Sequence, residues 1–180
     1  EATMDQGYVH VYTGNGKGKT TAAIGLCVRA LGAGMSVYIG QFIKGMRYSE
    51  IATLETLAVA LGPGRLVVEQ YGRGCFIRRD PERADIDLAI AGLARAREAL
   101  VSGRYGLVIL DELNVAVKVG VVAEADALAV VEARPPAVEL VVTGRYATDA
   151  MLERADLVTE MREVRHYYQA GVQARTGIER

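Results

Sequence analysis

The chain has 180 residues, of which 51% are hydrophobic and 24% are charged, and its net charge is −1. This length and composition exclude a disordered protein and predict a single domain over residues 1–180 with a full hydrophobic core. The near-neutral charge disfavours a nucleic-acid partner. No apolar run approaches the roughly 18 residues that span a bilayer, so we expect no membrane partner. The two cysteines, Cys27 and Cys75, form no Cys-x-x-Cys pair, which favours a reducing, cytoplasmic setting.

Short β-rich runs alternate with longer helical runs along the chain. We predict strands at residues 8–13, 36–43, 65–71, 107–110, 138–143 and 157–161. We predict helices at residues 20–31, 49–61, 81–101, 123–131 and 147–155. Asp80 is the expected N-cap of the third helix, with Pro81 at its first position. The alternation predicts an α/β fold of three layers, α/β/α, around a mainly parallel sheet whose ligand site lies at the carboxyl ends of the strands.

A glycine-rich turn joins the first predicted strand to the first predicted helix. It ends in Gly18-Lys19-Thr20, the pattern of a phosphate-binding loop, and predicts a P-loop NTPase-like fold. We expect Lys19, at an exposed turn, to reach the phosphates and Thr20 to place its hydroxyl on Mg²⁺. Thr13 stands where the usual pattern has its first glycine. The candidate nucleotide-binding residues are Gly14, Asn15, Gly16, Lys17, Gly18, Lys19, Thr20 and Thr21.

Charged residues follow three further strands at the same expected edge of the sheet. Asp111 and Glu112 come after the apolar fourth strand, the pattern of a Walker B element, and either would hold the metal directly or through water. We expect the sheet to place this strand beside the first one. Arg145 follows the fifth strand and would clamp phosphate, with an ordinary surface arginine as the alternative. Lys44 follows the second strand, where a nucleotide contact and a solvated side chain both stay open.

The segment 71–79 carries two glycines, three arginines, Phe76 and Ile77. Its place at the carboxyl end of the third strand favours a binding loop, and a plain connection is an equal alternative. The strand ends assemble no Ser-His-Asp triad and no kinase or GTPase signature. The residues alone therefore predict a small Mg²⁺–nucleotide enzyme of the P-loop type.

The motifs together resemble the P-loop type of ATP:corrinoid adenosyltransferase, also called the cob(I)alamin adenosyltransferase family. The resemblance extends from about residue 7 to residue 179, and a P-loop without the first glycine is typical of this family. The segments that carry it are 14–21, 41–45, 110–113 and 143–145, together with the tail 164–179.

The resemblance implies transfer of the 5′-deoxyadenosyl group of ATP to the cobalt of a reduced Co(I) corrinoid, with release of tripolyphosphate, in adenosylcobalamin synthesis or salvage. On this interpretation Lys19 and Arg145 are the catalytic residues and stabilise the leaving triphosphate. The triphosphate would lie reversed on the loop relative to ordinary P-loop enzymes. The resemblance also implies a homodimer and a reduced flavoprotein as the electron donor.

Two further expectations come from the residues themselves. One Mg²⁺ would be held by Thr20, Asp111 and Glu112, and the position of their loop at a strand end suggests that Phe76 and Ile77 offer an apolar surface to the lower face of the corrinoid. Because the segment contains no tryptophan, it departs from a phenylalanine and tryptophan pair that the family can present there. Only six residues precede position 7, so we expect the N-terminal arm of many family members to be absent or trimmed from this chain.

Two other classes of function remain. A P-loop phosphotransferase, such as a nucleoside kinase, would release ADP instead of tripolyphosphate. A non-catalytic module that binds nucleotide or corrinoid would form no carbon–cobalt bond.

Overall fold

The computed structural model describes residues 5–73 and 80–180. Within these residues, strands and helices alternate almost throughout. The strands are β1 (Val9–Thr13), β2 (Val37–Phe42), β3 (Leu66–Tyr71), β4 (Leu107–Asp111), β5 (Glu139–Thr143) and β6 (Leu157–Glu160). The helices are α1 (Lys19–Gly32), α2 (Ser49–Leu61), α3 (Arg83–Val101), α4 (Leu113–Lys118), α5 (Glu124–Glu132) and α6 (Asp149–Glu153), and a 3₁₀ turn covers Tyr167–Ala170.

The six strands of the described chain form one sheet in the order β3-β2-β4-β5-β1-β6, and every pair is parallel. This confirms the predicted α/β class and the parallel sheet. The expected adjacency of the first and fourth strands is wrong, because β5 lies between β4 and β1. All the strands still point the same way, so their carboxyl ends share one edge.

Helices cover both faces of the sheet. The odd-numbered residues of β4 pack with side chains of α1 and α2, and the even-numbered residues pack with α3, α4 and α5. On the face covered by α1 and α2, the fully buried side chains include Cys27, Leu107, Ile109 and Val141. On the face covered by α3, α4 and α5, they include Ala96, Val108, Leu110, Leu113 and Ala127. Burial on both faces explains why the central strands are continuous apolar runs, and it completes the three-layer arrangement.

Helix α3 begins later than expected, so the prediction of Asp80 as its N-cap is wrong. Glu82 is the N-cap, and its side chain accepts a hydrogen bond from the backbone N–H of Asp85. The Asp85 carboxylate accepts the Glu82 N–H in return, at 2.9 Å. This reciprocal pair satisfies two N–H groups that the helix itself leaves without partners, which decides where the helix starts. No helix in the described residues is long and apolar enough to cross a membrane.

Candidate active site

The loop between β1 and α1 is held against the end of β6. The N–H of Gly16 donates to the carbonyl of Met161 at 2.6 Å, and the N–H of Met161 donates to the carbonyl of Thr13 at 2.8 Å. A Cβ atom added to Gly14 or Gly16 would lie 2.5 or 2.6 Å from the Met161 oxygen. Gly14 also has φ 92°, in the left-handed region that glycine tolerates best. The glycines therefore serve the close contact with β6 as well as the turn.

Lys19 folds back across this loop. Its Nζ donates to the carbonyls of Gly14 and Gly16 at 2.8 and 2.6 Å. The residue is only 7% exposed, so the expectation of an exposed turn is wrong. Burial lowers the pKa of Lys19, and the nearby positive charge of Arg145 lowers it further. The loop carbonyls thus hold the ammonium group in place before any nucleotide arrives.

The carboxylate of Asp111 joins four structural elements at the strand ends. Its Oδ1 accepts hydrogen bonds from the hydroxyls of Thr20, at 2.9 Å, and Thr143, at 2.6 Å. Its Oδ2 accepts from Gln41 Nε2 at 3.1 Å and Lys44 Nζ at 2.7 Å. Asp111 itself is 1% exposed. The carboxylate is therefore fully hydrogen-bonded, and it fixes the donors around it.

Lys44 is a partly buried partner of this cluster and also lines the cavity described below, so it is not a plain solvated side chain. Its Nζ also donates to Thr20 Oγ1 at 3.1 Å. Burial alone would lower the pKa of Lys44, but the charge and the hydrogen bond of Asp111, together with the charges of Glu112 and Glu50, outweigh burial and the pKa is raised. Lys44 therefore stays charged inside the site.

Glu112 stands next to Asp111 in an unusual backbone conformation. Its φ is 60°, and its N–H donates to Thr143 Oγ1 at 3.0 Å. Helix α4, which the sequence analysis did not predict, begins directly after it. Burial and the neighbouring negative charge of Asp111 both raise the pKa of Glu112. The turn thus separates the two acids, with Asp111 inside the cluster and Glu112 against the cavity described below.

Arg145 lies just beyond β5. Gly144 before it has φ 128°, and its carbonyl accepts a hydrogen bond from Asn114 Nδ2 at 3.3 Å. A Cβ atom on Gly144 would lie 3.0 Å from that of Asn114, so glycine allows α4 to approach. Arg145 is exposed and makes no ion pair with the described residues. Its guanidinium is therefore available to an anionic ligand.

A cavity of about 580 Å³ lies above the phosphate-binding loop. Most of the predicted site residues that the structure describes line this cavity. Gly14, Asn15 and Asp111 do not. The predicted residues that line it are Gly16, Lys17, Gly18, Lys19, Thr20, Thr21, Glu112 and Arg145. Residues of the α2 region and of the chain's tail complete the wall, and they include Tyr48, Glu50, His166, Ile178 and Glu179.

Comparison with known proteins agrees with this site. Residues 5–180 match the family described as ATP:corrinoid adenosyltransferase BtuR/CobO/CobP. The chain belongs to this family. The resemblance found in the sequence motifs is therefore confirmed over nearly the whole chain.

Curated relatives are similar along nearly their full length. A corrinoid adenosyltransferase of Pseudomonas aeruginosa is 40% identical over 179 residues, which is 99% of this chain and 86% of the relative. A corrinoid adenosyltransferase of Sinorhizobium sp. is 33% identical over 98% of this chain and 82% of the relative. Corrinoid adenosyltransferase CobA of Salmonella typhimurium is 33% identical over 99% of this chain and 88% of the relative.

The tail of this adenosyltransferase-family chain forms part of the cavity wall, which the sequence analysis missed. Lys17 Nζ donates to the carbonyl of Ile178 at 2.9 Å. Glu179 accepts hydrogen bonds from the side chains of Arg175 and Tyr167. Hydrogen bonds from Arg175 and then Tyr167 hold the pKa of Glu179 at about 2. The tail glycines, Gly171 and Gly177 with φ 87° and 79°, were a signal of such a turned segment.

The donors at the site fit a magnesium ion that a nucleotide carries. No cluster of three or more His, Cys, Asp or Glu side chains could hold a metal within residues 5–73 and 80–180. Mg²⁺ needs only one or two protein oxygens when substrate phosphates complete its coordination. Thr20 and Glu112 offer a hydroxyl and a carboxylate at the cavity wall, and Asp111 supports Thr20 from behind.

The predicted corrinoid residues Phe76 and Ile77 lie outside the described residues. The chain that leads to them is described up to position 73. A Cβ atom on Gly72 would lie 2.5 Å from the carbonyl of Ile43, so this segment starts against the turn that carries Lys44.

Proposed function

We propose that this chain transfers the 5′-deoxyadenosyl group of ATP to the cobalt of a reduced Co(I) corrinoid and releases tripolyphosphate. The observation that carries the proposal is the cavity above the phosphate-binding loop, where Lys17, Lys19, Lys44 and Arg145 converge in a chain of the adenosyltransferase family. These four cations, with Arg180 as a fifth in the same lining, suit a ligand with several negative charges.

The protein contributes little covalent chemistry to the proposed reaction. The cobalt electron pair forms the bond to the 5′ carbon, the bond from that carbon to oxygen breaks, and the triphosphate leaves with the bonding electrons. The leaving group therefore gains charge on its α-phosphate oxygen. Lys19 and Arg145 are placed to stabilise that charge, and the rigid loop holds the triphosphate in position. The triphosphate would lie reversed relative to ordinary P-loop enzymes, as the family resemblance implies.

A magnesium ion belongs to the proposal. Thr20 and Glu112 would hold it, with Asp111 as a support for Thr20. When bound, the ion would neutralise part of the triphosphate charge. Thr20 donates its hydroxyl proton to Asp111 and accepts a hydrogen bond from Lys44, so one lone pair of its oxygen stays available to a cation. The remaining nucleotide contacts would come from the loop residues between Gly14 and Thr21.

The corrinoid side of the proposal concerns Phe76 and Ile77. We place them under the corrinoid because their segment follows β3 at the same edge of the sheet. An apolar surface there would exclude water from the lower axial position and ease reduction of Co(II). Alanine at either position should then slow the reaction when Co(II) corrinoid and a mild reductant are supplied. Preformed Co(I) corrinoid should restore the rate, whereas equal losses in both assays would contradict this role.

Other parts of the proposal rest on the family resemblance alone. They are a homodimer and a reduced flavoprotein as the electron donor, whereas the proposed cytoplasmic location rests on the cysteine usage. The single-domain organisation over residues 1–180 has structural support, because the two buried clusters lie on the two faces of one sheet.

Product analysis tests the proposed function. The protein is mixed without oxygen with MgATP and chemically reduced Co(I) cobalamin, and the products are separated. We expect a light-sensitive adenosylated corrinoid and one tripolyphosphate for each carbon–cobalt bond. ADP as the phosphate product would favour a phosphotransferase, and binding of both ligands without product would favour a non-catalytic module. Lys19→Ala should lose transition-state stabilisation of about 2–4 kcal/mol, whereas exposed Lys118→Ala should match the unmodified chain.

A further inference from the structure

Lys44 puts a partly buried positive charge beside the proposed metal ligand Thr20. Its Nζ lies 2.7 Å from Asp111 Oδ2 and 3.1 Å from Thr20 Oγ1. The side chains of Lys44 and Asp111 are 15% and 2% exposed. We propose that Lys44 makes this site select a divalent cation bound to triphosphate over the free cation. This inference rests on the proposed function and assigns Lys44 a role in metal selectivity.

The backbone is shaped to bring Lys44 to this place. Ile43 has φ 66°, and the N–H of Lys44 donates to the carbonyl of Phe42 at 2.7 Å, which closes a three-residue turn. A β-branched residue is rarely found in the left-handed region. Gly72 packs directly against this turn, and a Cβ atom at position 72 would collide with the carbonyl group of Ile43. The surroundings therefore impose an unfavourable conformation that directs Lys44 into the cluster.

Asp111 does not need an ammonium group to hold its position. Thr20, Thr143 and Gln41 already donate three hydrogen bonds to it at 2.6 to 3.1 Å. What Lys44 adds is mainly charge: it neutralises the carboxylate. Without this partner, Asp111 would leave a second net negative charge next to Glu112, and the pair would attract a free divalent cation.

The charges that remain disfavour a free cation and favour one carried by triphosphate. Glu112 is the acid of the pair that lines the cavity, while Lys19 and Arg145 add positive charge to the same wall. A free cation therefore meets net repulsion. A triphosphate brings several negative charges, which satisfy the two cations and complete the coordination of the metal.

Manganese binding to the full chain without nucleotide tests the inference. Free Mn²⁺ is measured by its paramagnetic resonance signal during titration of the protein. Lys44→Met should bind Mn²⁺ at least about tenfold more tightly than the unmodified chain, since it exposes one more negative charge to the ion. Lys118→Met removes the same charge from an exposed site and should change nothing. Equal or weaker Mn²⁺ binding by Lys44→Met would overturn the inference.

Thermal unfolding gives a second measurement in case Lys44→Met is destabilised. Millimolar Mn²⁺ should raise its unfolding midpoint and leave that of the unmodified chain unchanged, because the ion replaces the lost charge. The double variant Lys44→Met/Asp111→Asn should lose this response; a response that persists would contradict the role given to Asp111. Failure of adenosyl transfer by the unmodified chain would contradict the proposed function and leave these metal measurements as an independent result.

Discussion

Thr20 and Asp111 are 91 positions apart in the sequence, and the hydroxyl of one donates a hydrogen bond to the carboxylate of the other at 2.9 Å. The contact links the start of α1 to the end of β4 although β5 separates β4 from β1 in the sheet. It fixes the direction of the Thr20 hydroxyl proton, and because Lys44 donates to the same oxygen, one lone pair is left for a cation. Asp111 acts in this account as a positioning residue for Thr20.

Asp111→Asn tests the buried ion pair behind this contact. The substitution leaves the Lys44 ammonium without its anion, and breaking a buried pair in this way costs about 3–5 kcal/mol of unfolding free energy. The measurement is urea unfolding of the variant against the unmodified chain. Lys44→Met/Asp111→Asn removes both charges and should recover most of the loss. A double variant no more stable than either single variant would show that the two charges do not stabilise each other.

Gly16→Ala tests the contact between the phosphate-binding loop and β6. The new methyl group would meet the Met161 carbonyl at 2.6 Å, and the loop cannot retreat without losing the Gly16 hydrogen bond to that same oxygen. We expect a loss of about 1–3 kcal/mol of stability, measured by urea unfolding, together with weaker ATP binding. Gly25→Ala is the matched control, because it is exposed in α1 with nothing near its Cβ atom. It should gain about 0.5–1 kcal/mol, and equal effects at the two positions would contradict the packing argument.

Glu69 predicts a pH dependence of stability. Burial alone would raise the pKa of its carboxyl group, but hydrogen bonds from Arg95, Tyr71 and Tyr38 outweigh burial and hold the pKa at about 2. The folded chain therefore favours ionised Glu69 more than the unfolded chain does, where the pKa is near 4.5. This stabilisation is present above about pH 4.5 and is lost as the pH falls toward 2.

The measurement for this prediction is urea unfolding of Glu69→Gln and of the unmodified chain between pH 7 and pH 2. The unmodified chain should be more stable at pH 7, and the gap should close as the pH drops below about 4.5. A gap that is independent of pH would show that ionised Glu69 contributes nothing specific. The exposed Glu98, partnered by Arg95 at 3.7 Å, provides Glu98→Gln as the control with little expected gap at any pH.

The position of the tail at the cavity wall predicts that a change in the tail weakens ATP binding more than it slows the chemical step. Glu179→Ala removes the contacts with Arg175 and Tyr167 that hold the tail next to Lys17. These residues are exposed or half-buried, so the fold should persist, while KM for ATP rises by up to about fivefold, the factor that about 1 kcal/mol gives. Steady-state kinetics should show a smaller change in kcat.

Arg83→Ala is the control for the tail, because it breaks another i,i+4 ion pair, the more exposed one with Asp87, and neither residue lines the cavity. It should leave KM unchanged. If Glu179→Ala instead lowered kcat and left KM constant, the tail would have a role in the chemical step and not in nucleotide binding.

Local patterns in the sequence predict the sheet and the phosphate-binding loop well, because period, caps and glycine spacing are local properties. The strand at 107–110, for example, is an apolar run that only burial on both faces explains, and it appears as β4. Contacts between segments that are distant in the sequence cannot be predicted from local patterns. The sequence around Gly16 does not indicate that Met161 will lie against it. The sequence around Lys44 does not indicate that Asp111 will be its partner. Both depend on the order of strands in the sheet, which the alternation of strands and helices does not determine.

The short helix α4 escaped prediction for a related reason. Its six residues are too few for a helical period, and they follow Glu112, whose left-handed conformation turns the chain within one residue. The α3 start shows competition between local signals. Asp80 and Pro81 form a good helix start, but the Glu82 and Asp85 pair satisfies two N–H groups at once and prevails.

The proposed reaction breaks the bond from the 5′ carbon to oxygen, and one isotope measurement tests this directly. ATP carrying ¹⁸O in the bridge between the 5′ carbon and the α-phosphorus is supplied with Co(I) cobalamin, and the phosphate product is analysed by mass spectrometry. Attack at carbon predicts that the released tripolyphosphate retains the label and that the corrinoid product contains none. Label that stays with the nucleoside, together with ADP or free phosphate as the product, would mean attack at phosphorus and would contradict this account.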